Sequence, residues 1–399
     1  MRRRALVLAA VAAACAAAAG DVSGAASSWT VTDLGTLPGH RYAFVQPIAM
    51  NDRGEVVAQV TWDIGSNPKQ AAFVWRNGKR TRLTFGKSTW IDVAGISNRG
   101  DVVGDATVAS SKHAPVAVLW RNGKTTVLGT LSETVAINDR GQVIGIGRTP
   151  TGARRALVWQ NGTLTDLGTL GGDDAFPTAI NNEGQVIGQS TTADGAEHAF
   201  LWQNGTITDL GSVNGNNSVA RAINDAGEIA GSIDSPAGEG YPIEAVVWKD
   251  GKLNELGTFG APGARGLALD GQGDVLVELD DKAGDSAGGV LLHGGQADRI
   301  PTLGGSAPVD QGGPLVLTGL NNRGQVAGFG YTRPGARRRS FIWQNGHTTV
   351  LPTRDGIQPP WGGPVKLNNA GALIGTTWLA IRGVTGNTQR GVIWRPAKP

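Results

Sequence analysis

The chain has 399 residues, with 36 lysines and arginines against 33 aspartates and glutamates, 61 glycines, 12 tryptophans and one cysteine. Setting aside the terminal Arg2, Arg3, Arg4 and Asp21 leaves 33 basic and 32 acidic groups, a balance that does not point to nucleic acid. The lone Cys15 excludes an intrachain disulfide and a cysteine-based zinc site, and glycine at about twice its usual share without a Gly-X-Y period signals many tight turns rather than collagen.

Residues 1–28 read as an export signal. Three arginines precede an alanine-rich apolar run from Leu6 to Ala19, and small residues around Gly24, Ala25 and Ala26 offer a cleavage site. The run is too short to span a bilayer convincingly, so the mature chain is expected to be secreted and to carry no membrane span.

From residue 29 onward one pattern recurs. Its first half reads Ile-Asn-Asp/Asn-x-Gly-(Gln/Glu/Asp)-Val, with glycines at Gly54, Gly100, Gly141, Gly184, Gly227, Gly273, Gly324 and Gly371. A period of 41 to 51 residues is the signature of a repeat architecture whose units do not fold alone. Residues 176–211 show one unit whole. A strand ending at Ile180 reverses at Asn181-Asn182-Glu183-Gly184, and a second runs through Gln185-Val186-Ile187. A third, Ala199-Phe200-Leu201-Trp202, turns at Asn204-Gly205 into a fourth, Thr206–Leu210. Asn-Gly is a strong hairpin signal, because both residues accept positive φ, and it recurs at Asn77-Gly78, Asn122-Gly123, Asn161-Gly162 and Asn345-Gly346, with Asp250-Gly251 as an equivalent. Each unit is therefore a four-stranded antiparallel meander. Trp75, Trp120, Trp159, Trp202, Trp248, Trp343 and Trp394 hold one position and are expected to pack between neighbouring sheets. The sixth unit, with His293-Gly294-Gly295, has lost its tryptophan.

The chain ends are out of phase with the repeat. Thr32 to Leu37 matches Thr165 to Leu170 letter for letter, a fourth strand with no unit before it, whereas the chain stops just after the third strand at Trp394. The economical solution is an all-β ring: a β-propeller of eight four-stranded blades over residues 29–399, closed by the N-terminal strand completing the last blade. The small-residue Ala-Ile-Asn strands would lie innermost.

The units resemble the HAF repeat of bacterial extracellular proteins, named for a His-Ala-Phe tripeptide that His198-Ala199-Phe200 carries literally and that Ala71-Ala72-Phe73, Arg155-Ala156-Leu157 and Arg339-Ser340-Phe341 carry in altered form. The resemblance covers essentially all of residues 29–395. It implies an exported repeat protein and supplies no shared catalytic residues.

In such a ring the short turns share one face, and the long connections, which differ in every unit, share the other. Long variable loops are where binding usually sits. That face holds Tyr42, Trp62, Trp90, Tyr241, Tyr331, Trp361 and Trp378, and exposed aromatic rings favour sugar faces and other amphipathic partners. His40-Arg41-Tyr42 and Asp173-Asp174 follow fourth strands toward the axis. Binding residues are accordingly expected among His40, Arg41, Tyr42, Trp62, Trp90, Asp92, Asp173, Asp174, Tyr331, Trp361 and Trp378, with a glycan, cell-envelope polymer or extracellular protein as ligand and no cofactor or metal. The competing reading is a glycan hydrolase or lyase with carboxylates among Asp92, Asp173, Asp174 and Asp310 at the central mouth. Arg154-Arg155 and Arg337-Arg338-Arg339 are possible anion grips. Gly284-Asp285-Ser286-Ala287-Gly288 fits G-x-S-x-G but lies between strands rather than at a strand-to-helix elbow, and Asp280, Asp281 and Asp285 lack the glycine and glutamate of a calcium loop.

Overall fold

The computed structural model describes residues 22–23, 29–39, 43–62, 69–84, 90–108, 115–212, 217–234, 243–282, 286–303, 315–331, 338–353, 364–380 and 387–397. These form eight antiparallel sheets arranged as a ring, an eight-bladed β-propeller. The eight innermost strands, Phe44–Met50, Ile91–Ile96, Glu133–Ile137, Gly171–Ile180, Ser218–Ile223, Gly263–Leu269, Val316–Leu320 and Pro364–Leu367, each contact the next around a complete circle. We number the blades one to eight in that order. No helix among the described residues is long and apolar enough to cross a membrane.

Ring closure is the expected one. Trp29–Asp33 pairs antiparallel with the third strand of blade eight, Asn387–Pro396, with Val31 opposite Trp394 and Asp33 opposite Val392. The Leu34 N–H continues the ladder to the Gly391 carbonyl at 2.9 Å, and Leu34 and Leu37 enter the core between blades eight and one. Within the segment read as an export signal, Val22–Ser23 pairs in parallel with the outer strand of blade seven, His347–Val350.

Local chemistry repeats from blade to blade. Asn77, Asn122, Asn161, Asn204, Asp250 and Asn345 all have φ between 46° and 52°, and the glycine after each is also positive, so each hairpin has the two left-handed residues that match strand twist. In blade six Gly294 and Gly295 take the same pair of positions. Every innermost strand carries a bulge at the same place, skipping Ile48, Ala94, Val135, Thr178, Arg221, Leu267, Thr318 and Val365 in turn. A bulge bends and twists its strand, which suits strands crowded around an axis.

The core is eight inter-blade layers rather than one mass. Trp75, Trp120, Trp159, Trp248, Trp343 and Trp394 are buried, while Trp202 is half-buried. The indole N–H of Trp248 donates to the Leu210 carbonyl of blade four at 2.8 Å, and that of Trp394 to the Pro352 carbonyl after blade seven at 2.8 Å. Each ring thus fills the slot between its own blade and the one before. The His-Ala-Phe stretch ties the third strand of its blade to the fourth. His198 Nδ1 lies 2.9 Å from Asp209 Oδ2, and in blade three Arg155 Nε lies 3.0 Å from Asp166 Oδ2.

A second repeated contact links the inner turn to the residue after each tryptophan. Glu55 meets Arg76, Asp101 meets Arg121, Glu228 meets Lys249 and Asp274 meets His293. In three other blades the pair is two amides, Gln142 with Gln160, Gln185 with Gln203 and Gln325 with Gln344. An acid faces a base or an amide faces an amide in all seven, so the two positions change together along the chain.

Candidate functional site: the axial channel

The Ile-Asn-Asp/Asn-x-Gly turns build one mouth of the channel. Asn138 shows why asparagine stands first. Its Oδ1 accepts from the Arg140 and Gln142 N–H groups at 3.1 and 3.0 Å, and its Nδ2 donates to Gln142 Oε1 at 2.7 Å and to the Asn181 carbonyl of the next blade at 2.9 Å. All four hydrogen-bonding positions of the amide are used. The cross-blade bond recurs from Asn51 to Ser97, Asn181 to Asn224, Asn224 to Asp270, Asn321 to Asn368 and, closing the circle, Asn368 to Asn51.

The next residue makes a second belt. The Asp52 N–H donates to Asn98 Oδ1 at 2.8 Å, Asn98 to Asp139 at 2.6 Å, Asp139 to Asn182 at 2.9 Å and Asn182 to Asp225 at 2.8 Å. After a gap at Gly271, which has no side chain, Gly271, Asn322 and Asn369 continue the series back to Asp52. Together these belts rim a funnel of about 420 Å³, with the aliphatic residues that end the innermost strands, Met50 and Ile96 among them, as its wall. These turns are scaffold, and they are also the polar mouth of a cavity; the signal was the asparagine repeated at one position in six of eight turns.

Two turns lack the asparagine and its cross-blade donor: at Ser97 the hydroxyl accepts from the Arg99 and Asp101 N–H groups instead, and at the other a carboxylate stands. Asp270 replaces the asparagine. Its Oδ1 accepts from Gln272 and Asp274 as expected, but Oδ2, having no proton to give, is buried without a partner. The residue is only 3% exposed, and burial pushes its carboxyl above the ordinary range. Between the unfolded value of about 3.9 and the higher folded value, the folded chain holds the extra proton, so stability falls as pH rises through that window. Asp270→Asn restores the donor toward Asn321. It should stabilise by about 1 kcal/mol at pH 7, roughly 2 °C in melting temperature. The gain should shrink as pH falls toward about 4, where the native aspartate is protonated. Calorimetry of both proteins at the two pH values checks this, and a lower melting temperature for the variant at pH 7 would contradict it.

At the long-loop end the channel is polarised. Gln46, Asp92 and Glu133 are exposed at the start of the innermost strands of blades one to three, while Arg265 and Arg221 stand on those of blades six and five. Asp92 lies directly opposite Asp105 in the next strand. Asp105 is 8% exposed, and burial raises its pKa against the lowering effect of Thr134, whose N–H and hydroxyl donate to its two oxygens at 3.1 and 3.0 Å. Gln59 Nε2 reaches the Ile91 carbonyl at 2.7 Å and Asp92 Oδ1 at 3.4 Å. Across the ring, Arg265 pairs with the buried Asp280. The Arg221 pKa is lowered by burial and then by the like charge of Arg265.

The expected binding residues fall out unevenly. Trp90 is exposed at 36% and sits two residues before Asp92 on this face. Trp62 is half-buried against the core between blades eight and one, and Tyr331 is half-buried at the end of the second strand of blade seven. Asp173 is exposed, but Asp174 Oδ1 accepts from the Arg154 N–H at 2.6 Å and so clasps blade four to blade three. Trp378 stands in the second strand of blade eight. His40, Arg41, Tyr42, Tyr241, Asp310, Arg337 and Trp361 lie outside the described residues. The aromatic positions among the described residues are therefore spread over several blades, and Trp90 and Asp92 share the start of one innermost strand.

Other motifs resolve into structure. Arg154 stacks over the Phe176 ring at 5.1 Å, and Arg155 is held by Asp166, so neither stands ready to grip an anion. The Ser286 hydroxyl donates to the Leu315 carbonyl, and His293 bonds Asp274, so the two form no nucleophile–base pair.

No protein-family model and no curated protein matches the chain. Among solved structures it is similar to the β-propeller domain of the Trilobed protease from Pyrococcus furiosus, with a TM-score of 0.51 at 10% identity, covering 80% of this chain and all of that one. It is also similar to a prolyl endopeptidase, with a TM-score of 0.53 at 13% identity, covering 90% of this chain and 57% of that one, so it spans little more than half of that peptidase. At such identities the likeness is one of fold, the β-propeller. The Pyrococcus domain is described as an open velcro, whereas here the N-terminal strand closes the ring.

Proposed function

We propose that the protein is a secreted binding propeller that engages a glycan or cell-envelope polymer on its long-loop face, at the channel edge formed by blades one to three. The observation that carries this reading is Trp90, an exposed indole two residues before the exposed carboxylate of Asp92, with Glu133 exposed on the next blade. A flat apolar ring takes the C–H face of a sugar, and carboxylates with Gln46 accept or share its hydroxyl hydrogen bonds. The export-signal layout of residues 1–28 and the resemblance to HAF repeats support the extracellular setting. In a glycan-array screen followed by titration of the best binder, Trp90→Ala is expected to weaken binding at least tenfold, about 1.4 kcal/mol, with the melting temperature unchanged. Binding undiminished in that variant, or no glycan bound by the wild type, would defeat the reading.

A second reading, hydrolysis, is favoured by one feature. Asp92 and Asp105 face each other across adjacent strands, one exposed and the other buried with a raised pKa. Directly opposed residues place their Cβ atoms about 5 Å apart, which puts two carboxyl-bearing side chains side by side on one face. Against it, Thr134 already engages both Asp105 oxygens. The same binding ligand decides: products released by the wild type and abolished in Asp92→Asn would favour hydrolysis over simple binding.

A further inference from the structure

The tryptophan missing from blade six leaves a vacancy with a defined shape. In seven blades the residue opposite the first position of the second strand is tryptophan: Val56 faces Trp75, Val102 faces Trp120, Val143 faces Trp159, Val186 faces Trp202, Ile229 faces Trp248, Val326 faces Trp343 and Leu373 faces Trp394. In blade six Val275 faces Leu292. Leucine is shorter and not planar. A pocket of about 290 Å³ opens at that position, between blades five and six, where the repeat elsewhere places a ring.

Its walls are Val247, Leu256, Leu269, Val275 and Leu292, with the Glu228–Lys249 ion pair at the rim. The repeat also supplies a polar partner. Trp248 gives its indole N–H to the Leu210 carbonyl in blade four, and the residue at the same place in the Asn-Glu-Leu-Gly stretch of blade five is Leu256. Apolar cavities of about half this volume take up benzene rather than water.

We propose that this pocket is a binding site for a small planar heteroaromatic molecule of indole size, seated where the other seven blades seat their own tryptophan. The ring stacks between Val247 and Leu292, and its polar edge points to Leu256 and the charged rim. The site lies on the short-turn half of blades five and six, as the lining Gly273, Gly294 and Gly295 show, and it is independent of the ligand surface near Trp90.

Indole itself is the probe. Titrated into the isotope-labelled full-length protein, it is expected to shift the methyl resonances of Val247, Leu256 and Leu292 saturably and to raise the melting temperature. Leu292→Trp fills the pocket with the residue the other blades use, and should reduce indole affinity at least tenfold. Absence of saturable shifts, shifts confined to other methyls, or undiminished affinity in Leu292→Trp would each overturn the proposal. If that variant does not fold, the wild-type methyl map decides alone.

Discussion

Trp248→Ala is expected to destabilise the protein by about 3–5 kcal/mol, read as a lower urea midpoint. The ring is among the largest fully buried side chains, it fills the slot between blades four and five, and its N–H satisfies the Leu210 carbonyl. Truncation removes apolar contact, leaves a cavity and orphans an acceptor, three effects of the same sign. Trp202→Ala makes the internal comparison. It holds the same repeat position in blade four but is only half-buried, so a loss nearer 1–2 kcal/mol is expected. Equal losses at the two positions would mean that burial between blades is not what the tryptophans contribute.

Removing residues 1–37 is expected to have the larger effect. The deletion strips the closing strand from Asn387–Pro396 and exposes the edge next to Trp394. It also removes Leu34 and Leu37, whose burial is worth about 1.5–3 kcal/mol each before any ladder bond is counted. A ring interrupted there keeps the turn-level links of Asn368 and Asn369 to blade one and the packing of Ala372, Ile374 and Ile393 on it, but not the strand that covers them. The truncated chain should unfold at a much lower urea concentration and with a broader transition, because the layer between blades eight and one loses two of its buried leucines and its covering strand.

Most of this architecture is local or periodic, which is why it is legible in the amino-acid order. Asn77-Gly78 and its counterparts need only two residues to specify their turn, and every one has the required φ values. The phase mismatch between Thr32–Leu37 and the truncated last unit anticipates the pairing of Val31 with Trp394. The belts were harder to see, because Asn138 and the Asn181 carbonyl it bonds belong to different units and meet only once the ring closes. A contact within each blade left a clearer trace, in the paired changes at Glu55 with Arg76 and Gln185 with Gln203.

The site was legible only in part. Trp90 and Asp92 were identifiable from their departure from the repeat. Asp105 was not, since its significance comes from facing Asp92 across a strand pair and Thr134 across a blade interface. Trp62 and Asp174 show the reverse error: residues that stand out along the chain can be absorbed by packing or by a backbone clasp. The loss of tryptophan at Leu292 reads as decay in one dimension and as a cavity in three.

Closure by the chain's own first strand is tested most directly by adding it back. A synthetic peptide of residues 29–37, titrated into protein lacking residues 1–37, should bind saturably and raise the urea midpoint toward that of the intact chain. A scrambled peptide of the same composition should do neither. A truncated protein as stable as the full one, or one indifferent to the peptide, would contradict a ring held shut at Trp29–Asp33.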